Sequence, residues 1–200
     1  MEAPSVSHGM TPDIFVHVRI IVGIILGLCI SRLLTGFARF VQHPGSQIIY
    51  PIHLAWVGFI FLAIVHFWWF EFHLHWIKVW DFETYFYVIF YASLYFLAST
   101  LLFPDNMAEY TGYRDYFMSR RKAFFSILVL ILLADIGDTL LKGRDHYHSF
   151  GIEYPLRTIV FVVGSIVAMF TRNQRFHAIF VTLVLVYEAA FILYRYTILE

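Results

Sequence analysis

The sequence predicts an all-α, polytopic membrane helix bundle, and three observations carry that prediction. Of its 200 residues, 60% are hydrophobic and only 14% are charged. A soluble domain of this size could not hide so much apolar surface. Apolar stretches of about 20 residues recur along the chain, the length that crosses a hydrocarbon core about 30 Å thick. Six such stretches are joined by short links, none long enough to divide the chain, so residues 1–200 read as a single integral membrane domain. The net charge is zero and there is one cysteine. The first argues against nucleic acid as a partner, and the second excludes an internal disulfide. The opening MEAPSVSHGMTPD has no basic run, so no cleaved signal peptide is expected.

The first span is expected over about 14–40, opened by Thr11-Pro12-Asp13 as a cap with proline in the first turn. The second covers about 50–76, the third 84–103, ending at Pro104, and the fourth 123–141, ending near Gly143. A short fifth span covers 155–170, and the sixth 176–198. The link at 105–122 contains YRDYFMSRRK. Tyr113, Tyr116 and Phe117 fall on one face at helical spacing, which predicts a short interfacial helix feeding the fourth span.

With six spans, the links alternate between two sides of the membrane. Side A holds both chain ends and the links after the second and fourth spans; side B holds the other three links. Arg39, Arg114, Arg120, Arg121, Lys122, Arg172 and Arg175 fall to side B. Lys78, Lys142, Arg144 and Arg157 fall to side A, with Arg19 and Arg195 near span ends. The positive-inside rule therefore makes side B cytoplasmic and both termini extracytoplasmic.

The run ISRLLTG ends the first span and IGDTLLKG ends the fourth, each followed by a Tyr-Pro pair, Tyr50-Pro51 and Tyr154-Pro155. Three spans per unit would make the halves a 3+3 inverted repeat, a plan that many transporters use. The match is short, and chance agreement in an apolar alphabet explains it as well.

Several motifs stand in order along the chain: Leu26-Gly27 through Thr35-Gly36, Phe67-Trp68-Trp69, Pro104-Asp105, and Asp115-Tyr116-Phe117 with Arg120-Arg121 before Phe124-Phe125. In that order they resemble a family of small, uncharacterised bacterial polytopic inner-membrane proteins. The resemblance implies a bacterial inner membrane and transfers no functional residues.

Ionisable residues inside a span are costly. They face the bundle interior, find partners, and mark functional paths by default. At about 1.5 Å per residue, Glu188 lies almost at the midplane, with Asp135 near it and Asp138 one turn towards side A. Arg32 is displaced towards side B. Arg19, Arg195 and Glu71 fall roughly 12 Å towards side A by the same rise. This layering predicts that Arg19 or Arg195 meets Asp138 or Glu71, and that Arg32 reaches Asp135 or Glu188. Asp135, Asp138 and Glu188, with Arg32 and Arg19, are thus the candidate path for protons or cations. Buried pairs that only fix helix register are the competing account of the same residues.

Residues 66–76 read HFWWFEFHLHW, in a chain with 10 histidines. His73 and His75 close the second span on side A, and His146 and His148 follow the fourth span on the same side. With Glu71 they form a candidate Cu or Zn site, since imidazole clusters bind such ions. The competing account is an interfacial aromatic belt that includes Trp68, Trp69, Trp76 and Trp80. His53 and His66, thirteen apart, have the spacing of helices that hold two stacked haems. Only His177 matches His53 in depth and His17 matches His73, so at most one bis-His haem is expected. No lysine lies deep in a span, which argues against retinal.

Three function classes follow. A small channel or transporter for protons, ions or a polar solute leads, because of its buried acids. A non-catalytic subunit or assembly factor, alone or as a homo-oligomer, is the second class; 22 Phe and 13 Tyr suit broad helix contacts. A metal- or haem-dependent membrane enzyme is the third.

Overall fold

A computed structural model describes residues 12–43, 45, 48–77 and 80–195, with the side chains of residues 12, 13, 76 and 195 outside the description. The Thr11–Asp13 cap, Lys78 and the Arg195 side chain therefore lie outside the described residues.

All described elements are helical. They are α1 (Pro12–Gln42), α2 (Pro51–Phe70) and a 3-10 segment (Glu71–Trp76), then α3 (Phe82–Leu102) and α4 (Tyr113–Leu141). A short α5 (Arg144–Ser149), α6 (Glu153–Phe170) and α7 (Gln174–Arg195) complete the chain. Six helices are long and apolar enough to cross a membrane: Ile14–Gln42, Pro51–His75, Phe82–Leu102, Tyr113–Leu141, Glu153–Phe170 and Gln174–Tyr194. The chain is therefore a polytopic helical bundle of the kind that forms a multi-pass membrane protein.

The distribution of side chains fits that reading. On α6, Tyr154, Thr158, Phe161, Ser165 and Ala168 are buried, while Leu156, Ile159, Val160, Val163 and Val167 are exposed. Small and polar residues face inward and branched aliphatics face outward, the arrangement expected where lipid is the solvent. On α1 the buried stripe is Val18, Val22, Leu26, Cys29 and Leu33, at four- and three-residue spacing. Its outer face carries Ile20, Ile24, Leu28 and Leu34.

Local signals set the ends. Pro51 occupies the first turn of α2. The Asp81 side chain accepts from Thr84 N at 2.8 Å and caps α3. Gly143, at φ 128°, follows α4 in a conformation that a side chain would strain.

The fourth span differs most from expectation. It begins at Tyr113, ten residues before position 123, and no separate interfacial helix precedes it. Tyr113, Tyr116 and Phe117 are buried in the core. Apolar composition alone misplaced this start, because Arg114, Arg120, Arg121 and Lys122 break the run. The helical period of the aromatic face continues through them into Phe124 and Phe125.

Helix α1 packs along α3, α3 along α4, α4 along α6, and α2 along α7. Among the described residues α4 makes no close backbone approach to α7, the counterpart of the α1–α3 pair. The shared ISRLLTG-like motif does not extend to equivalent helix packing. The side-B half of the interior is aromatic. Trp56 meets Phe124 and Phe125 at 5.3 Å and Phe180 at 5.7 Å, edge to face in each case. Such pairs contribute about 0.5–1.5 kcal/mol each beyond their area. Polar groups concentrate in the side-A half.

Candidate functional site

Three charged groupings occupy the side-A half. The first joins the ends of α2 and α4. Lys142 follows the last turn of α4 and its side chain is fully buried. Its Nζ donates to Glu71 Oε1 at 2.8 Å and to Asp138 Oδ2 at 2.5 Å, and lies 3.8 Å from the centre of the Phe70 ring. Asp138 and Lys142 are i and i+4, so one helix face presents both. Burial opposes the charge on Lys142, but the adjoining Asp138 and Glu71 carboxylates outweigh it and hold its pKa above the ordinary lysine value. Glu71 Oε2 and Asp138 Oδ1 are buried without a hydrogen-bond partner.

The second grouping lies deeper. Arg157, near the start of α6, donates to Asp135 Oδ2 at 2.8 Å. Tyr154 OH donates to the same oxygen at 2.9 Å. That uses the only Tyr154 hydroxyl proton, so Thr139 Oγ1, 3.0 Å away, is the donor to Tyr154. Tyr91 OH approaches the other Asp135 oxygen at 3.5 Å, the outer limit of a hydrogen bond. The Arg157 guanidinium also stands over the Tyr154 ring at 4.8 Å. The third grouping is His66 on α2 and Glu188 on α7, with Nδ1 to Oε1 at 2.5 Å.

Two cavities border these groups, of about 40 and 60 Å³. His66, Tyr91, Tyr95, Asp135 and Arg157 line both. A single water needs roughly 10–15 Å³ on this measure, so each cavity has room for a few waters or one small ion. Glu188, Phe59 and Ile60 also wall the second cavity. Beyond Phe59 and Ile60 towards side B stands the Trp56 aromatic cluster. A smaller space of about 10 Å³ lies between Arg19 and Glu71, near the side-A end.

The expected residues therefore divide. Asp135, Asp138, Glu188 and Glu71 are inward-facing and engaged, but not with the predicted arginines. Arg32 is the clearest correction. It donates to Phe103 O at 2.8 Å and to Asp105 Oδ1 at 2.5 Å, on side B. Its position late in α1 lets the long side chain reach the nearer membrane boundary, where a cation is less costly. Arg19 stacks over Phe72 at 4.6 Å and Phe15 at 5.4 Å, while Glu71 takes Lys142 instead.

Three side chains of these charged groupings were missed. Lys142 and Arg157 read as link charges, and His66 was weighed only for haem. The Asp138/Lys142 spacing signalled the first, and the start of α6 at Glu153, ahead of Tyr154-Pro155, places the second inside a span. The depth of His66, nearest the midplane among the α2 histidines, signalled the third.

The proposed metal ligands do not gather as one set; among the described residues His73 and His146 are the two that approach each other. His73 and His146 rings lie 5.4 Å apart, both against Phe70. His73 Nδ1 donates to Phe70 O at 3.0 Å, and His75 Nδ1 donates to Phe72 O at 2.6 Å. His75 packs beside Phe15 and Phe72, His148 beside Tyr147, and Glu71 is held by Lys142. The 3-10 segment turns about 120° per residue, which aims positions 73 and 75 apart. Among the described residues no three His, Cys, Asp or Glu side chains group as a metal site. Nor do His53 and His177 face a shared plane: their Nε2 atoms donate to Leu102 O at 2.6 Å and Thr171 O at 3.2 Å, and Phe117 packs against both rings.

Comparison of the chain with protein-family models, curated proteins and solved structures gives no match. The site is thus read from its own chemistry.

Proposed function

We propose that this multi-pass protein moves protons or a small cation through the cavity between α2, α3, α4, α6 and α7. The observation that carries this reading is the wall of the 60 Å³ cavity, where the His66–Glu188 and Asp135–Arg157 pairs face the same small space. Asp135 and Arg157 cancel. Glu188 is cancelled only when His66 carries a second ring proton. The cavity therefore holds a charge of −1 or 0, and the two states differ by one proton. A monovalent cation is the other species that satisfies the −1 state.

The interior is aromatic from Phe59 to side B, so the path is closed at that end. A closed end suits a carrier that rearranges better than an open pore. Arg157, Glu188 and His66 join Asp135 and Asp138 as the path residues, with Lys142 buried at their side-A end. Arg32 and Arg19 leave the path. Basic residues on side B support a cytoplasmic placement for that side.

Reconstituted protein, with a pH dye inside the liposomes, should acidify or alkalinise the lumen under an imposed pH or K⁺ gradient. Glu188→Gln should abolish this while leaving a cooperative melting transition. Wild-type liposomes that stay silent under proton, Na⁺ and K⁺ gradients would sink the proposal.

One observation favours a second reading, a non-catalytic membrane subunit. Each acid of the interior grouping has a basic partner: Glu71 and Asp138 with Lys142, Asp135 with Arg157, and Glu188 with His66. Complete pairing is what a register-fixing network requires. A stoichiometric protein that co-purifies with the chain, together with silent liposomes, would select this reading.

A further inference from the structure

At the side-B end, the first turns of α4 and α7 stand beside the link that enters α2. A groove of about 560 Å³ opens between them. Arg114 and Arg172 reach it from two different parts of the chain, one in the first turn of α4 and one between α6 and α7. The Gln174 amide oxygen, turned towards Arg114, accepts from its guanidinium and holds it in place. Asp115 is the one acid in the wall, and its carboxylate already accepts from Thr111 N at 3.2 Å. Two guanidiniums against one carboxylate leave the groove with a charge of +1.

The neighbouring arginines are committed elsewhere. Arg120 donates to Tyr110 OH at 2.9 Å and Arg121 to Met118 O at 2.5 Å. Arg114 and Arg172 are therefore the cations that face this space.

Depth and lining narrow the ligand. At 1.5 Å per residue the 29 residues of α4 extend about 43 Å, against a hydrocarbon core of about 30 Å. Its first turns consequently stand at headgroup level. Ile48 and Met118 supply apolar wall beside the arginines. A planar guanidinium matches a phosphate with two parallel hydrogen bonds, and two such groups surround an anion from separate directions. The volume greatly exceeds that of inorganic phosphate and suits a phosphate with its glyceryl and headgroup atoms.

We propose that this groove binds the phosphate group of an anionic phospholipid headgroup, clamped by Arg114 and Arg172. The site lies at the opposite end of the bundle from the Asp135 cavity and does not depend on what that cavity does. Its chemistry would equally accept free phosphate, and the test separates the two sources.

Native mass spectrometry of the full chain in detergent, with added phosphatidylglycerol or phosphatidylcholine, reads lipid retention directly. Phosphatidylglycerol should be retained preferentially, and Arg114→Gln with Arg172→Gln should weaken retention about tenfold or more. The pair Arg114→Lys with Arg172→Lys preserves charge but not the planar fork, so it should retain a preference between those of the wild type and the glutamine pair, which guards against a folding artefact in the glutamine pair. Melting curves of all three proteins accompany the measurement. Calorimetric binding of inorganic phosphate, lost in the glutamine pair and without lipid preference, would assign the groove to free phosphate and overturn the lipid source. Equal retention of both lipids with no phosphate binding, or retention unchanged in a folded glutamine pair, overturns the site itself.

Discussion

Lys142 donates to Glu71 at 2.8 Å across 71 positions of sequence, and this single contact ties the side-A end of α4 to that of α2. The same ammonium holds Asp138, one turn back on α4. One buried cation thus serves two buried acids, so the three are not equivalent. Lys142→Met leaves Glu71 and Asp138 facing each other without a cation, and losing one member of a buried pair costs about 3–5 kcal/mol. Glu71→Gln leaves Lys142 with Asp138 and a neutral acceptor, so it should cost clearly less. The triple variant Lys142→Met, Glu71→Gln, Asp138→Asn should recover most of the Lys142→Met loss. Denaturation in detergent ranks the three, and a Glu71→Gln loss as large as that of Lys142→Met would refute this hierarchy.

That contact also marks where sequence reasoning reached and where it stopped. Six spans were legible because bilayer length and apolar composition are properties of a single segment. The places of Glu71, Asp135, Asp138 and Glu188 along their helices were legible for the same reason. Which helix lies beside which was not, since side-chain depth says nothing of azimuth. Arg32 was therefore matched to acids in its general layer, although its helix packs on α3 and its guanidinium meets Asp105. Asp138 and Lys142 needed no neighbour assignment, because four-residue spacing alone puts them on one face. The start of α4 was lost when the arginines among Tyr113–Phe124 lowered the hydropathy without interrupting the helical period.

The Asp135–Arg157 pair separates a conduit from a brace. As a brace, Asp135→Asn strands the Arg157 guanidinium in the interior at a cost of about 3–5 kcal/mol, and the double Asp135→Asn, Arg157→Gln restores stability. As part of a conduit, the double variant is stable and any proton or cation flux is gone. Expression level, melting temperature and liposome flux of the two variants give the answer together. Undiminished flux from the double variant would remove this pair from the path.

Alkaline stability should report on Lys142. Its pKa is raised in the folded protein, by its contacts with Glu71 and Asp138 and against its burial. A raised folded pKa contributes stability that is fully present below the unfolded value of about 10.4 and is lost as pH climbs through the folded value. The wild type should therefore lose stability above about pH 10.4, and Lys142→Met should lose less over the same range. Tyrosines titrate there as well, so the measured quantity is the difference between the two melting curves. Parallel losses in the two proteins would contradict the assignment.

Close helix packing at Gly137 gives a prediction about shape rather than charge. A Cβ there would collide with the Tyr87 hydroxyl, which donates to Ala134 O at 2.6 Å. Tyr87 cannot move away without giving up that bond, so Gly137→Ala should destabilise by about 1–3 kcal/mol, as overpacking does. At Gly27 an added Cβ meets nothing within 4 Å. Gly27→Ala should be neutral or stabilise by up to about 1 kcal/mol through helix propensity. Melting the two variants side by side tests the α3–α4 approach, and equal effects would deny it.

Orientation is open to direct measurement because the native thiol is silent. Cys29 is fully buried on the inner face of α1, so an impermeant maleimide should not reach it in the folded protein. Glu109 and His148 are both exposed, at opposite ends of the bundle. If side B is cytoplasmic, as its arginines imply, Glu109→Cys should resist the reagent in intact cells and react after permeabilisation. His148→Cys should react in intact cells. The reversed pattern would turn the protein over, placing the Arg114–Arg172 groove on the extracytoplasmic leaflet and the Lys142 end of the bundle on the cytoplasmic side. Labelling of both positions in intact cells would show instead that the two ends are not separated by a membrane.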